Sequence, residues 1–276
     1  MSKGPLSTVS MCFTCFNEKE MPRFSTFSLH QIPPDGVIFS TCDKGHLSAF
    51  VVQAHQFELL SEIALKAIID GYNRDSVASF AAALERLYEF YIQLVFEENG
   101  VEPSSFDAAW KHLKKQSERQ LGAFVACYLM ENRHAPLLLA PKAVEFRNKV
   151  IHQGLIPDKE EALEFAQAVA DCATPLIKLI KGEKYEQALM NSVGALIRER
   201  RKTGFKRAAN VSVGTISSPL SLTSADADKS IRAHLTVREE MPDYGIAVDA
   251  INALGKLVDV LSVEETKEVF DQLGQN

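Results

Sequence analysis

Ala143-Val-Glu-Phe-Arg-Asn-Lys-Val-Ile-His152-Gln-Gly154 is the stretch on which the reading of the fold turns. Val144, Phe146, Val150 and Ile151 continue an apolar pattern that opens at Leu137, Leu138 and Leu139, with the spacing of a helix that has one face in a core. Pro141 suits the first turn of such a helix, and Gly154 suits its end. Near that end stand Arg147, Asn148 and His152. Arginine is a fixed planar cation suited to phosphate, and histidine is the side chain that changes protonation near neutrality. The group therefore reads as phosphate chemistry or, alternatively, as a helix end with a basic surface.

The same period extends to both sides. Phe57, Leu60, Ala64, Ala67 and Ile68 share one face of a helix that Asp70-Gly71 ends. A second helix is expected from about Ser76 to Glu98, with Phe80, Leu84, Leu87, Tyr91, Leu94 and Val95 inward. A third follows Ser104-Ser105 and carries Trp110, Leu113, Leu121, Phe124, Val125 and Leu129. After the Arg147 helix, Asp158 and Glu161 form a capping box for a fifth. It runs through Leu163, Phe165, Val169 and Ile177 to Gly182, with Pro175 inside as a kink. A sixth spans Tyr185 to about Lys202. Amphipathic helices joined by short connections predict an antiparallel bundle over residues 56–202. Cys127, Cys172, Trp110, Tyr88 and Tyr91 read as its packing.

The first 55 residues read differently. Cys12-Phe-Thr-Cys15 and Cys42-Asp-Lys-Gly-His46 are two short ligand pairs separated by a linker, which is what a closed tetrahedral zinc site needs. Val37–Thr41 and Leu47–Val52 look like strands flanking the second pair, and Gly45 supplies the positive φ of its turn. A segment with so few apolar residues needs a metal to hold it, so a structural zinc on Cys12, Cys15, Cys42 and His46 is expected. Scattered cytosolic thiols are the competing reading, and His30 and His55 are rival ligands.

Composition sets the outer limits. A chain of 276 residues with 46% hydrophobic and 24% charged residues has the composition of an ordinary soluble globular protein, and a net charge of −6 argues against bulk electrostatic coating of nucleic acid, leaving any such contact to a local patch. No apolar run is long enough for a membrane span, and residues 1–11 lack an apolar signal core. Five cysteines without an export signal fit a reducing compartment, and a cytoplasmic location is expected. No Gly-rich phosphate loop, GxSxG elbow or HExxH pair is present.

Residues 203–276 form a third segment. Leading into it, Arg198 to Arg207 holds six cations against one anion, a local +5 that leaves −11 for the rest of the chain. Arg198, Arg200, Arg201 and Lys202 are candidate RNA-phosphate contacts, or else a solvated helix end. Residues 208–230 read as irregular. A helix at about Tyr244–Leu261 and a short one after the Ser262–Glu265 capping box make a C-terminal helical arm.

Arg147-Asn-Lys-Val-Ile-His152, followed by a Gly-containing break and another long helix, resembles the hallmark of the HEPN superfamily. Ala82-Ala-Leu-Glu-Arg-Leu-Tyr-Glu-Phe90 is similar to an earlier helix of such domains, and the resemblance covers about residues 56–202. It implies a helical domain that dimerises and, in many members, cleaves RNA without metal, in antiviral defence or as a toxin with a neutralising protein partner. On that analogy His152 assists attack of a ribose 2′-hydroxyl on the adjacent phosphate. Arg147 stabilises the developing charge, Asn148 orients one of them, and Glu85 is a further polar contributor. Other members are non-catalytic dimerisation, nucleotide- or RNA-binding modules. Helix geometry bears on the choice: five residues put Arg147 and His152 roughly 140° apart and about 7.5 Å along the axis. Two copies meeting across a dimer therefore make a better site than one.

The fold expected is thus mostly α: a HEPN-like antiparallel bundle with a small β-containing zinc module before it and a helical arm after it.

Overall fold

The computed structural model describes residues 6–19, 23–223, 230–240 and Val248. It is mostly helical, with a small β region in the N-terminal part. The chain divides into two compact units, and each is discontinuous in sequence. Of the described residues, one comprises those within 1–53 and 196–216, the other those within 54–195 and 217–239.

The smaller unit is built on two sheets. Strands β1 (Ser7–Ser10) and β2 (Ser28–Gln31) pair antiparallel. Strands β3 (Val37–Thr41) and β4 (Leu47–Val52) form the expected hairpin, with Val37 opposite Val51 and Thr41 opposite Leu47. The third strand of that sheet, β5 (Asn210–Gly214), lies within the stretch expected to be irregular. It pairs parallel to β4, from Ser48↔Asn210 to Val52↔Gly214. Val37, Ala49, Val51 and Ala208 form the buried apolar cluster of this unit, with Phe39, Leu47 and Val211 against it. Helix α1 (Phe13–Lys19) carries Thr14, whose hydroxyl accepts a hydrogen bond from the Asn210 amide at 2.6 Å. α1 and β5 are thereby tied.

The larger unit is a bundle around one long helix. α2 (Gln56–Ile69) ends at Asp70, as expected, and Gly71 at φ +83° turns the chain into α3 (Asn73–Glu98). α3 buries Val77, Phe80, Leu84, Leu87, Tyr91 and Leu94 on one side and packs against most of the other helices. Each such side chain contributes about 1.5–3 kcal/mol on leaving water. The third expected helix is two: α4 (Pro103–Leu113) and α5 (Ser117–Asn132), broken at Lys114–Gln116. α6 (Pro141–His152) starts on its proline, and the chain turns at Gly154 with φ +76°.

α7 (Lys159–Ile180) is capped as its sequence predicts: Asp158 Oδ1 accepts from the Glu161 N–H at 2.8 Å, and Glu161 Oε2 from the Asp158 N–H at 3.0 Å. The helix continues through Pro175. Among the buried polar groups, the Tyr91 hydroxyl meets that of Tyr185 at 3.2 Å and accepts from Asn132 at 2.9 Å.

α8 (Glu186–Phe205) begins in the larger unit and ends in the smaller. Residues 217–223 run along α2 with Leu220 and Leu222 buried; the Leu220 N–H donates to Ser61 at 3.3 Å and the Leu222 N–H to Glu58 at 3.0 Å. A short α9 (Ile231–Glu240) follows, where no helix was expected. The expected helices after residue 243 lie outside the described residues. Among the described residues no helix is long and apolar enough to cross a membrane.

Candidate functional site

The four expected metal ligands converge. Cys12, Cys15, Cys42 and His46 offer ligand atoms that all lie within 4.8 Å of one another. The second pair sits on the β3–β4 turn, closed by Cys42 N–H to His46 O at 3.2 Å and Gly45 N–H to Cys42 O at 2.9 Å. Gly45 takes φ +80°, as its place in the turn requires. The first pair lies at the start of α1 rather than on a tight turn of its own. No glycine follows Cys15 to reverse the backbone, so the chain continues into helix.

Cys15 Sγ lies 3.8 Å from Cys42 Sγ and 3.3 Å from His46 Nδ1, and Cys12 Sγ lies 3.8 Å from the same nitrogen. The other ring nitrogen, Nε2, faces Glu18 Oε1 at 3.6 Å. Glu18 is one turn beyond Cys15 on α1, a place that sequence reasoning passed over. A carboxylate there holds the ring with Nδ1 toward the thiols, the usual second partner of a metal-bound histidine. Arg23 is a further addition, directed at Cys15 Sγ (3.7 Å) and paired with Asp43 at 3.0 Å.

The electrostatics suit a cation. Burial pushes the Cys12 thiol up, yet hydrogen bonds from the Cys15 N–H, His46 and Ser48 outweigh it and lower the value to about 6. Cys15 is pushed up to about 11, first by burial, with Arg23 opposing and Cys12 and Cys42 adding. One thiolate suppresses the next unless a positive ion sits among them. Three soft sulfurs and an imidazole, largely buried, can bind a metal ion. The rival histidines are elsewhere: His30 is on β2 opposite Thr8, and His55 precedes α2 with its ring against Phe90.

Arg147, Asn148 and His152 lie in the last turns of α6. Arg147 is half-buried and forms an ion pair with Glu85 of α3 at 3.6 Å. Its Nε is buried without a hydrogen-bond partner among the described residues. His152 is exposed and Asn148 is partly so. Arg147 thus turns to α3 while His152 stays in solvent, as the helical spacing requires.

The basic run divides by role. Arg200 donates to the carbonyl of Val52, and its guanidinium lies so close to Gly36 that a Cβ there would be 2.7 Å from its central carbon. This arginine is employed within the small unit. Arg198, Arg201 and Lys202 are exposed; Arg201 lies over the Phe205 ring at 5.2 Å and Lys202 pairs with Glu199 at 3.3 Å.

No family model, curated protein or solved structure matches this chain.

Proposed function

We propose that the protein is a metal-independent endoribonuclease of HEPN type, active as a homodimer, with a structural zinc in its small unit. The observation that carries the catalytic reading is the disposition of α6. Its final turns present the side chains of Asn148 and His152 without hydrogen bonds or ion pairs among the described residues, beside Arg147 braced by Glu85. Exposed apolar residues flank the helix: Leu137 before it, and Leu155 and Ile156 after it, the last 81% exposed. Such residues around a polar motif suit burial against a second copy, and a second copy supplies the other half of the site.

In the reaction, the ribose 2′-oxygen bonds to the adjacent phosphorus and the 5′-oxygen of the next nucleotide leaves. The products are a 2′,3′-cyclic phosphate and a 5′-hydroxyl end. His152 moves the proton, Arg147 meets the charge that grows on the phosphoryl oxygens, and Asn148 orients one of these groups. Exposed Arg198, Arg201 and Lys202, with Phe205 half exposed beside them, offer cations and a ring face to the strand. A toxin or antiviral setting, with a neutralising partner and a cytoplasmic location, goes with this reading.

The zinc assignment rests on distance. Tetrahedral zinc with bonds of roughly 2.3 Å to sulfur and 2.0–2.1 Å to nitrogen sets S···S edges near 3.8 Å and S···N edges near 3.6 Å. The observed 3.8 Å between Cys15 and Cys42, and 3.3 and 3.8 Å to His46, bracket those values. Four protein ligands close the shell, so the metal holds structure and takes no part in cleavage.

The test is cleavage of single-stranded RNA in EDTA by wild type, His152→Ala and Arg147→Ala, with product ends analysed. Cyclic-phosphate ends from wild type, and loss of at least about a hundredfold in each variant at unchanged helicity, are expected. Equal cleavage by all three overturns the proposal. RNA binding without any turnover by wild type indicates the non-catalytic module instead.

A further inference from the structure

Within the smaller unit, the end of α8 lies against the β3–β4–β5 sheet. Arg200 donates to the Val52 carbonyl. A Cβ at Gly204 would stand 3.1 Å from Val211 and 3.3 Å from Ala49, so the bare Cα lets the helix come close. With Arg200 and Gly204 turned to the sheet, another face of the helix is left to solvent. Arg198, Arg201, Lys202 and Phe205 fall within about 100° of arc on a helix of 100° per residue, and all four are exposed. Lys206 and Arg207 follow directly and are exposed too. The one anion among them, Glu199, pairs with Lys202 at 3.3 Å. Arg198, Arg201, Lys206 and Arg207 form no ion pair among the described residues. Two of these arginines lie over rings: Arg201 at 5.2 Å from the centre of Phe205, and Arg207 at 4.3 Å from that of Phe39. Phe39 is on β3 and packs against the buried cluster of the sheet, so Arg207 carries the basic stripe from helix to strand.

We propose that this stripe binds unpaired RNA, the Arg201–Phe205 and Arg207–Phe39 pairs taking bases while Arg198, Lys202 and Lys206 meet phosphates. The inference rests on the RNA reading above for the nature of the strand, and not on its cleavage; it adds which form of RNA is held, and by which unit. Charge selects a polyanion first. The local excess stands in a chain of net −6, so the attraction is confined to this face. Planarity then selects among polyanions. A guanidinium and an aromatic ring both stack on nucleobases, and an unpaired strand has those faces to give. In a duplex the bases are stacked on one another, which leaves the backbone alone to be held. An acidic peptide would answer the cations and leave the planar groups without partners. An anionic membrane takes up apolar side chains, and Phe205 alone in the stripe is both apolar and exposed.

The experiment is fluorescence anisotropy of a labelled RNA of about a dozen nucleotides, single-stranded or annealed to its complement. The protein is the full chain carrying His152→Ala, so that cleavage does not consume the probe. The single strand is expected to bind at least about tenfold more tightly than the duplex. Four cations without ion pairs among the described residues, at about 0.7 per phosphate, set a slope of log K against log salt of roughly −3. Arg201→Lys with Arg207→Lys keeps the charge and removes both planar groups. It should weaken the single strand about tenfold while duplex affinity and salt slope stay as they were. Phe205→Ala, at an exposed position, should cost a similar factor with melting temperature unchanged. Equal affinity for duplex and single strand overturns the inference. So do a double lysine variant that binds like its parent, no measurable binding of the single strand, and binding to phosphatidylserine vesicles in place of RNA. Single-strand binding here with no cleavage by wild type would refute the ribonuclease and leave this surface. Cleavage by wild type, with binding indifferent to the surface substitutions, would do the reverse.

Discussion

Removing the metal is expected to unfold the smaller unit and leave the helical bundle standing. The apolar cluster of the smaller unit is Val37, Ala49, Val51 and Ala208. At about 25 cal/mol per Å², two valines and two alanines contribute on the order of 5 kcal/mol. A structural zinc contributes about 10–16 kcal/mol near neutral pH. Zinc bound as proposed would therefore outweigh that cluster by a factor of roughly two or three, and each ordered residue still costs more than about 1 kcal/mol in backbone entropy. Without metal, that cluster and the further buried Ile38, Val52 and Ile216 offset only part of that cost. In the bundle, α3 alone buries more apolar side chains than the whole cluster of the smaller unit.

Hydrogen exchange read by mass spectrometry separates the two units. In protein shown by elemental analysis to be metal-free, amides of β3, β4 and β5 are expected to exchange close to free-peptide rates, while those of α3 and α7 keep their protection. Cys42→Ser should reproduce the pattern without chelator. Glu18→Gln should retain the fold in saturating zinc but bind it about 10–100-fold more weakly. Strands that stay protected in demonstrably metal-free protein would refute the argument, because the apolar cluster would then suffice.

Three further outcomes are expected. Gly36→Ala places a Cβ against the Arg200 guanidinium at a φ of +68°, so it should destabilise the smaller unit by about 1–3 kcal/mol in urea titration. An unchanged midpoint would remove Arg200 from its assigned role. Asp158→Ala deletes the α7 cap and should cost about 1 kcal/mol, or roughly 2–4 °C in melting temperature; Asp158→Asn, which keeps an acceptor, should recover most of it. Burial, then Asp171, pushes the Cys172 thiol up to about 11 from 9.0. The folded state therefore holds its proton between about pH 9 and 11 while the unfolded chain loses it, so stability should fall as pH rises through that window. Cys172→Ala should reduce the slope of urea midpoint against pH; an identical slope would deny the thiol any part in it.

Much of this was legible in the sequence because it rests on local signals. Asp158 and Glu161 announce a cap, Pro141 a start, and Gly45 and Gly71 their turns. The periodic leucines and aromatics of α3 mark a buried face wherever that face points. What escaped depends on partners distant in sequence. Asn-Val-Ser-Val-Gly at 210–214 is too short and polar to read as a strand until β4 is beside it. Lys114–Gln116 carries neither glycine nor proline, so the break between α4 and α5 has no local mark. Arg200 is chemically indistinguishable from Arg201 in the sequence, and only the positions of Val52 and Gly36 give it a different task. The Arg207–Phe39 pair joins the end of α8 to β3, and no single window of sequence contains both.

The parallel pairing of Ser48 with Asn210 has a consequence for the order in which the protein comes into being. Synthesis runs from the N-terminus, so all four residues of the Cys/His cluster have been made by residue 46, while the third strand of the β3–β4 sheet arrives more than 160 residues later. Helices α2 to α7 of the other unit are produced in the interval, and domains generally fold as they emerge. A metal ion bound early, as proposed, would give the hairpin a fixed form through that wait, and β5 would then complete an edge set for most of the time of translation. A cell short of the metal would leave that edge open to neighbouring chains on the same messenger.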